Sequence, residues 1–358
     1  MANTTISADL RVKQWDDKAH MEYVRANRFK RYMGTTQNSI IMLKEDLTKK
    51  RGDAITIPLV GALDDSAGPN TGATALVGNE KALPNDGYRI AVGVVRDAVV
   101  VNVEEEQASP IDIRNAARVS LKDLQMRYLR NDIITAMGSI TGVPYATATT
   151  AQRNAWNVLN EDRILFGDAV GNYNATHATA LNNVTAGMTL SKEVVSLAKR
   201  VAQSAQSVNG DGIRPFTYGE DEETFVLFAG PKAFRDLKED MATVHADARE
   251  RAKTNPLFTG TTSLYWDGVV IREIPEIGGF NNTAGSPVRI EPYFLCGAQA
   301  LGVAWAKRTK TTLRKEDDYG FQKGVGFMEM RGVEKILYGQ AGAQWGMVSG
   351  FIAAPLDA

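Results

Sequence analysis

The apolar positions of this chain mark one long amphipathic helix, several buried strands and an extended arm with almost nothing to fold onto. Asp53-Ala-Ile-Thr-Ile-Pro-Leu-Val60 alternates at the period of a strand. It then enters a stretch rich in glycine and small polar residues, Gly61–Gly78, with too few large apolar side chains to bury a core. A second extended run, Tyr88–Val103, brings the chain back. An isolated two-stranded arm is marginal in water unless something covers it. The pattern over 52–104 therefore points to assembly rather than chemistry.

The strongest helical signal spans 110–137. Ser109 suits a cap and Pro110 the first helical position, with Asp112 standing in for the Glu or Gln of a capping box. Ile113, Ala117, Leu121, Leu124 and Tyr128 form one stripe, and Met126, Leu129, Ile133 and Met137 an adjacent one. A helix apolar on two sides is one around which a domain packs. Earlier in the chain, residues 13–33 read as a helix closed by Gly34, with Trp15, Ala19, Tyr23 and Ala26 along one side, and 39–50 as a short helical piece. Residues 138–188 predict loops and short elements. An amphipathic helix follows over 190–206, with Val194, Leu197, Ala198, Val201 and Ala205 inward. Beyond it come a buried strand at 224–230, a helix at 232–240, strands at 268–274 and 288–295, and two runs, 320–331 and 333–338, separated by Gly332. The order predicts an α+β fold.

Composition is ordinary for a globular chain of 358 residues, 44% hydrophobic and 23% charged, which excludes disorder throughout. The formal net charge of −1 recruits neither nucleic acid nor an anionic membrane. Charge is uneven, however: residues 1–51 hold eleven Lys/Arg and six Asp/Glu, a local +5. That segment suits nucleic acid or an acidic partner, and reads equally as a solvated helix of mixed charge. The single cysteine, Cys296, lies in an apolar run and reads as a buried, inert thiol, which fits a reducing compartment. The amino terminus lacks the apolar core of a signal peptide, and no stretch approaches membrane-spanning length.

The usual catalytic constellations do not emerge. His20, His177 and His245 lack second ligands at metal spacing, so no metal site is expected. No nucleophile elbow or Walker loop is present, and Gly324-Val-Gly326 does not continue into a dinucleotide fingerprint because residue 329 is Glu. The carboxylate runs Glu104–Glu106 and Glu220–Glu223 read as solvated or paired groups at strand ends, and Lys307-Arg-Thr-Lys310 as a solvated loop or an ion-pairing segment. No catalytic residue, cofactor or metal ligand is assigned. The rival from another class is a hydrolase built from Glu220–Glu223 and His245.

Several segments, taken in order, resemble the major capsid proteins of tailed bacteriophages, which share the Hong Kong 97-type fold, and in particular their N-four-like branch. Arg51-Gly-Asp-Ala-Ile-Thr-Ile-Pro-Leu59, the glycine-rich tip, Gly78-Asn-Glu-Lys-Ala-Leu83 and the return through Arg96-Asp-Ala-Val-Val100 look like that branch's extended loop. Helix 110–137 looks like its spine helix, and Phe225-Val-Leu-Phe-Ala-Gly-Pro231 with Phe234 and Leu237 like its axial strand-then-helix. Asn255-Pro-Leu-Phe-Thr-Gly260, Gly268-Val-Val-Ile271 and Phe294-Leu-Cys-Gly-Ala-Gln-Ala-Leu301 are similar to further coat-protein segments.

The resemblance implies an amino-terminal arm over 1–51, the extended loop over 52–104 and a peripheral domain with the spine helix over 105–150. It implies a mainly axial domain over 151–300, then a return to the peripheral domain and a tail over 301–358. It implies a non-enzymatic shell subunit forming hexamers and pentamers of itself, located in the virion and assembled in the host bacterial cytoplasm. Scaffolding and portal proteins, a decoration protein and nonspecific luminal contact with packaged double-stranded DNA are the implied partners, with no membrane. No long scaffolding segment precedes the loop, and no lysine–asparagine pair is marked for cross-linking, so a shell held noncovalently is expected. Arg51, Asp53, Asn70, Asn79 and Arg89 are the expected intersubunit contacts, from their positions in the loop. An encapsulin-like compartment is the alternative within the same architecture, and a tail or decoration protein a third reading.

Overall fold

A computed structural model describes residues 27–45, 52–66, 68–72, 76–109, 111–206, 210–217, 223–242, 263–313, 321–338 and 342–357. The chain divides into two units. The smaller comprises 1–27, 94–129 and 307–330, and the larger 28–93, 130–306 and 331–358.

In chain order, a 3-10 turn at Lys30–Tyr32 leads into β1 (Met33–Gly34), and β2 (Ile41–Lys44) follows. The helix expected over 13–33 lies outside the described residues up to 26, and its end is this turn and strand instead. The helical piece expected over 39–50 is also corrected: Ile41–Lys44 extend because β2 pairs in parallel with β1 and with a strand some 260 residues later. The arm contains β3 (Ala54–Val60) and β4 (Asn85–Ala91), which form their own two-stranded sheet. The return run is broken at Val92, and β5 (Gly93–Asn102) joins a different sheet.

Next come α1 (Val103–Ala108) and α2 (Ile113–Gly138). The cap of α2 is Asp112 rather than Ser109: its carboxylate accepts from the Asn115 backbone N–H at 3.0 Å. The carboxylates Glu104–Glu106 occupy the first turn of α1, where the helix dipole favours negative charge. Glu106 faces Arg114 and Lys323.

The 138–188 region holds more order than expected. Thr149 and Gln152 close a capping box on α3 (Thr150–Leu159), followed by β6 (Ile164–Phe166) and α4 (His177–Asn182). Then α5 (Lys192–Ser204) is capped by Ser191, whose hydroxyl accepts from Val194 N–H. The larger unit continues through β7 (Phe216–Thr217), β8 (Glu223–Ala229), α6 (Pro231–Asp240), β9 (Ser263–Trp266), β10 (Val269–Glu273), β11 (Phe280–Asn281) and β12 (Arg289–Cys296). Then follow β13 (Leu301–Leu313), β14 (Gln322–Lys335), β15 (Leu337–Tyr338), β16 (Ala343–Gln344) and β17 (Met347–Ala353). The basic run 307–310 is therefore exposed strand rather than loop. Gly332 interrupts nothing, because β14 runs through it.

In the smaller unit β13, β14 and β5 lie side by side, and α2 covers one face. Leu121, Leu124 and Tyr128 of the expected stripe pack on Val95, Val99, Val325 and Phe327. The larger unit is built on the sheet β6-β17-β12-β8-β10-β9. Val194, Ala198 and Ala202 of α5 and Phe234 and Leu237 of α6 pack against Leu227, Ile271, Leu295 and Ile352, the inward positions of its strands. Cys296, the next residue along β12 after Leu295, is also buried, and loss of hydration pushes its thiol up to about 12.

A second cluster of the larger unit surrounds His177. Tyr145, Trp156, Phe166 and Phe351 ring the imidazole, the Phe166 and Phe351 rings stacked with their centroids 5.3 Å apart. The Asn157 amide nitrogen donates to the Asn174 carbonyl, which leaves its oxygen to accept from His177 Nδ1–H at 3.3 Å. Nε2 then accepts from the Tyr145 hydroxyl at 2.8 Å. Burial, with Arg153 nearby, holds the histidine down at about 4.

Candidate assembly surface

The arm begins as a seven-pair antiparallel ladder, from Ala54 opposite Ala91 to Val60 opposite Asn85. Its alternation sorts the two faces. Ile55, Ile57, Leu59 and Ile90 are buried against Met42, Ala304 and Ile336, with Tyr88, Tyr338 and Trp345 beside them. Each such burial contributes about 2 kcal/mol. The base of the arm thus has a core, which the sequence did not suggest. Thr56, Pro58, Gly87 and Arg89 face outward.

Glu334 on β14 fixes this base. Its carboxylate accepts from the Tyr88 hydroxyl at 2.7 Å and from the Ala91 N–H at 3.3 Å. The phenol is raised above its ordinary range, mainly by burial and then by this bond. Gly332, two residues earlier, lies so close to the Ala91 carbonyl that an added Cβ would collide with backbone. Gly332→Ala is expected to lower unfolding free energy by about 2 kcal/mol through overpacking, measured as a reduced denaturation midpoint of the unassembled subunit. An unchanged midpoint would mean that the close approach is not a constraint.

Beyond Val60 and Asn85 the core stops. Val60, Leu63, Leu76, Val77 and Leu83 are each half exposed or more, Val77 by 86%. Local polar bonds shape this tip. Ser66 N–H donates to Asp64, Gly78 N–H to Glu80 and Lys81 to the Gly68 carbonyl, while Gly68, Gly72 and Gly78 take positive φ values of 69°, 69° and 88°. Several large apolar side chains exposed on one segment without its own core mark an interaction surface.

Of the residues expected at intersubunit contacts, Arg51 lies outside the described residues. Asp53 and Arg89 form an exposed ion pair at 2.9 Å across the base of the ladder. Asn70 donates its amide to the Asn79 carbonyl at 3.4 Å. The structure therefore brings the four together as two pairs within the arm. Glu334 and Gly332 carry no motif. Their only trace in the sequence is a glutamate and a glycine within an otherwise strand-like run.

A groove of about 530 Å³ lies beside the end of β3, between Pro58–Ala62 and Gly212–Arg214. The Arg163 guanidinium in it donates to the carbonyls of Gln206 and Gln344, a structural use of its charge. Lys335, on β14, is buried away from this groove, and burial pushes it down to about 7. Its ammonium donates to the Ser139 carbonyl at 2.8 Å. Among the described residues no group of three or more His, Cys, Asp or Glu is placed to hold a metal ion, and no helix is long and apolar enough to cross a membrane. Glu220–Glu222 and His245, the suggested hydrolase residues, lie outside the described residues, and Glu223 opens β8.

The phage capsid protein family model matches residues 3–350. The cyanophage Pam1 capsid subunit is 37% identical over 100% of both chains, with a TM-score of 0.89. The capsid of Ralstonia phage GP4 is 19% identical over 100% of both, at 0.77. The SrpI encapsulin of Synechococcus elongatus is 7% identical over 98% of this chain and 95% of its own, at 0.52, a distant likeness of fold. No curated protein matches the chain.

Proposed function

Because the chain belongs to the phage capsid protein family and builds the shell of a phage head from copies of itself, we propose that its hairpin arm ties each copy to the next. The fold is Hong Kong 97-like. The observation that carries the proposal is the row of large apolar side chains exposed from Val60 to Leu83, on an arm whose base alone is anchored. Laid on a neighbour, those side chains leave water without the arm needing a core of its own. Closed shells of identical subunits need contacts in which different patches meet, and a projecting arm supplies one. Closure adds cooperativity, so each contact can be modest.

In this reading the smaller unit serves as the peripheral domain with the spine helix, and the larger unit as the axial domain bearing the arm. Asp53, Arg89, Asn70 and Asn79 hold the arm in its docking shape. The subunits cluster as hexamers and pentamers, work with scaffolding, portal and decoration proteins, and assemble in the host cytoplasm. The basic segment 1–51 faces the lumen and neutralises packaged DNA without reading its sequence. The subunit catalyses no reaction.

Negative-stain microscopy with size-exclusion chromatography tests the reading on the purified chain, alone and co-expressed with a scaffold. Closed particles tens of nanometres across are the expected result. Discrete monomers or dimers under both conditions would overturn it.

A further inference from the structure

The main sheet of the larger unit has a second face, turned away from α5 and α6. Strand alternation sends Tyr293, Leu295, Val348 and Ile352 into the core beneath those helices. Their neighbours Pro292, Phe294, Ser349 and Phe351 therefore turn to the opposite face, where Pro292 pairs with Phe351 and Phe294 with Ser349. The last turn of α2 reaches this face, since a Cβ on Gly138 would lie 3.8 Å from the Phe294 ring.

The cover is incomplete. Between the end of α2, the segment Pro144–Ala146 and these strands lies a cavity of about 220 Å³. Its walls are mostly apolar, with Ile134, Met137, Phe280, Phe294 and Phe351 among them. A dry cavity of roughly 150 Å³ is enough to hold benzene, so this one has room for a ring with a short chain.

The polar groups at this cavity are donors that lack an acceptor. Lys335 is the one charged residue among the described residues that line it. An ammonium has three N–H groups. One donates to the Ser139 carbonyl at 2.8 Å and a second, weakly, to Gln344 Oε1 at 3.5 Å. That oxygen is already shared with the Ser349 hydroxyl at 3.1 Å. The ammonium also lies 5.6 Å from the centroid of the Trp156 ring, and the indole N–H of this buried tryptophan has no hydrogen-bond partner. A buried cation without a counter-ion is costly. The Cys296 thiol, the other ionisable group acting on Lys335, is itself held neutral and supplies no negative charge.

We propose that this cavity binds a small apolar monocarboxylate, its body against Met137, Phe280 and Phe294 and its carboxylate between the Lys335 ammonium and the Trp156 indole N–H. The carboxylate brings both the counter-charge and the acceptor that the site lacks, through charge-assisted hydrogen bonds. The body leaves water for the apolar walls. Because the site exists only in the folded subunit, occupancy stabilises it by mass action.

Calorimetric titration of phenylpropionate into the unassembled subunit at pH 6, where acid and lysine both carry their charges, tests the site. One acid binds per subunit, and the amide and alcohol of the same skeleton bind at least about tenfold more weakly, equivalent to 1.4 kcal/mol. The thermal midpoint rises with acid concentration. Lys335→Met exchanges the charge for an apolar group of similar length; it abolishes the preference for acid over alcohol while the alcohol still binds. If that variant does not fold, the acid, amide and alcohol series on the parent chain decides by itself. Equal affinity for all three, or no saturable binding of the acid, would overturn the proposal. Closed shells also take up one acid per subunit. Shells that refuse an acid bound by free subunits would assign the cavity to a neighbouring copy and overturn the small-molecule site.

Discussion

Replacing residues 62–84 by Asn-Gly-Thr yields a folded, monodisperse subunit that closes no shells. The ladder register makes the replacement clean. Val60 lies opposite Asn85, and Gly61 N–H donates to the Pro84 carbonyl at 2.9 Å, so with Thr in place of Pro84 supplying the N–H that proline lacks, a two-residue type I′ turn continues the same pairing. The buried side chains of the base, Ile55, Ile57, Leu59 and Ile90, are untouched, as is Glu334 beneath Tyr88 and Ala91. What is lost is the exposed apolar row Leu63, Leu76, Val77 and Leu83. Folded-state stability should change by less than about 1 kcal/mol, since these side chains bury little within the subunit. Particle yield should fall to background. Equal numbers of normal shells from parent and variant in micrographs would refute the arm as the tie.

Acid is the second strong lever, acting through His177. The free side chain titrates near 6.5, whereas burial holds it at about 4 in the folded subunit. Between those values the unfolded chain takes up a proton that the folded one refuses, so stability is lost as pH falls from 6.5 to 4 and changes no further below. At 1.36 kcal/mol per pH unit the loss reaches about 3 kcal/mol. The tautomer explains why the proton is refused: Nε2, the only site left for it, already accepts from Tyr145, inside a wall of aromatic rings. His177→Gln retains a donor and an acceptor without the titration. Denaturant unfolding of unassembled wild type and variant at pH 7.5 and 4.5 checks this, because carboxylates common to both cancel in the difference. The gap should shift toward the variant by about 2 kcal/mol at the lower pH. A gap identical at both values would remove His177 as the cause.

Much of this architecture could be read from side-chain periodicity. The stripe Leu121, Leu124, Tyr128 located α2 and its core, and the apolar run Phe225–Ala229 located β8. What periodicity cannot encode is the partner of a strand. Tyr88–Val103 looks like one strand because its alternation hardly changes, yet Val92 hands the chain from the arm to another sheet. Ile40–Leu43, a short apolar run, suits helix or strand, and only pairing with β13 decides it. Strand β17 escaped notice because its residues are buried throughout and show no alternation at all. For the assembly surface, the arm and its exposed tip were legible from missing apolar mass. Asp53 with Arg89 and Asn70 with Asn79 follow once the hairpin register is known. Glu334 and Gly332 were beyond reach, since their roles arise from a contact more than 240 residues away in sequence.

Strand β17 also bears on biosynthesis. It lies between β6 and β12, pairing with both, so the main sheet of the larger unit has a vacant slot beside its edge strand β6 until residues 347–353 have been made. Translation at roughly 5–20 residues per second leaves the earlier strands waiting on the ribosome for their last neighbour. During that interval β6 and β12 each present an unpaired edge, the kind that invites pairing with another chain. Completion of the larger core therefore waits on β17, and until β17 pairs, the two open edges leave a nascent subunit prone to join strands with another copy before it is fit to enter a shell.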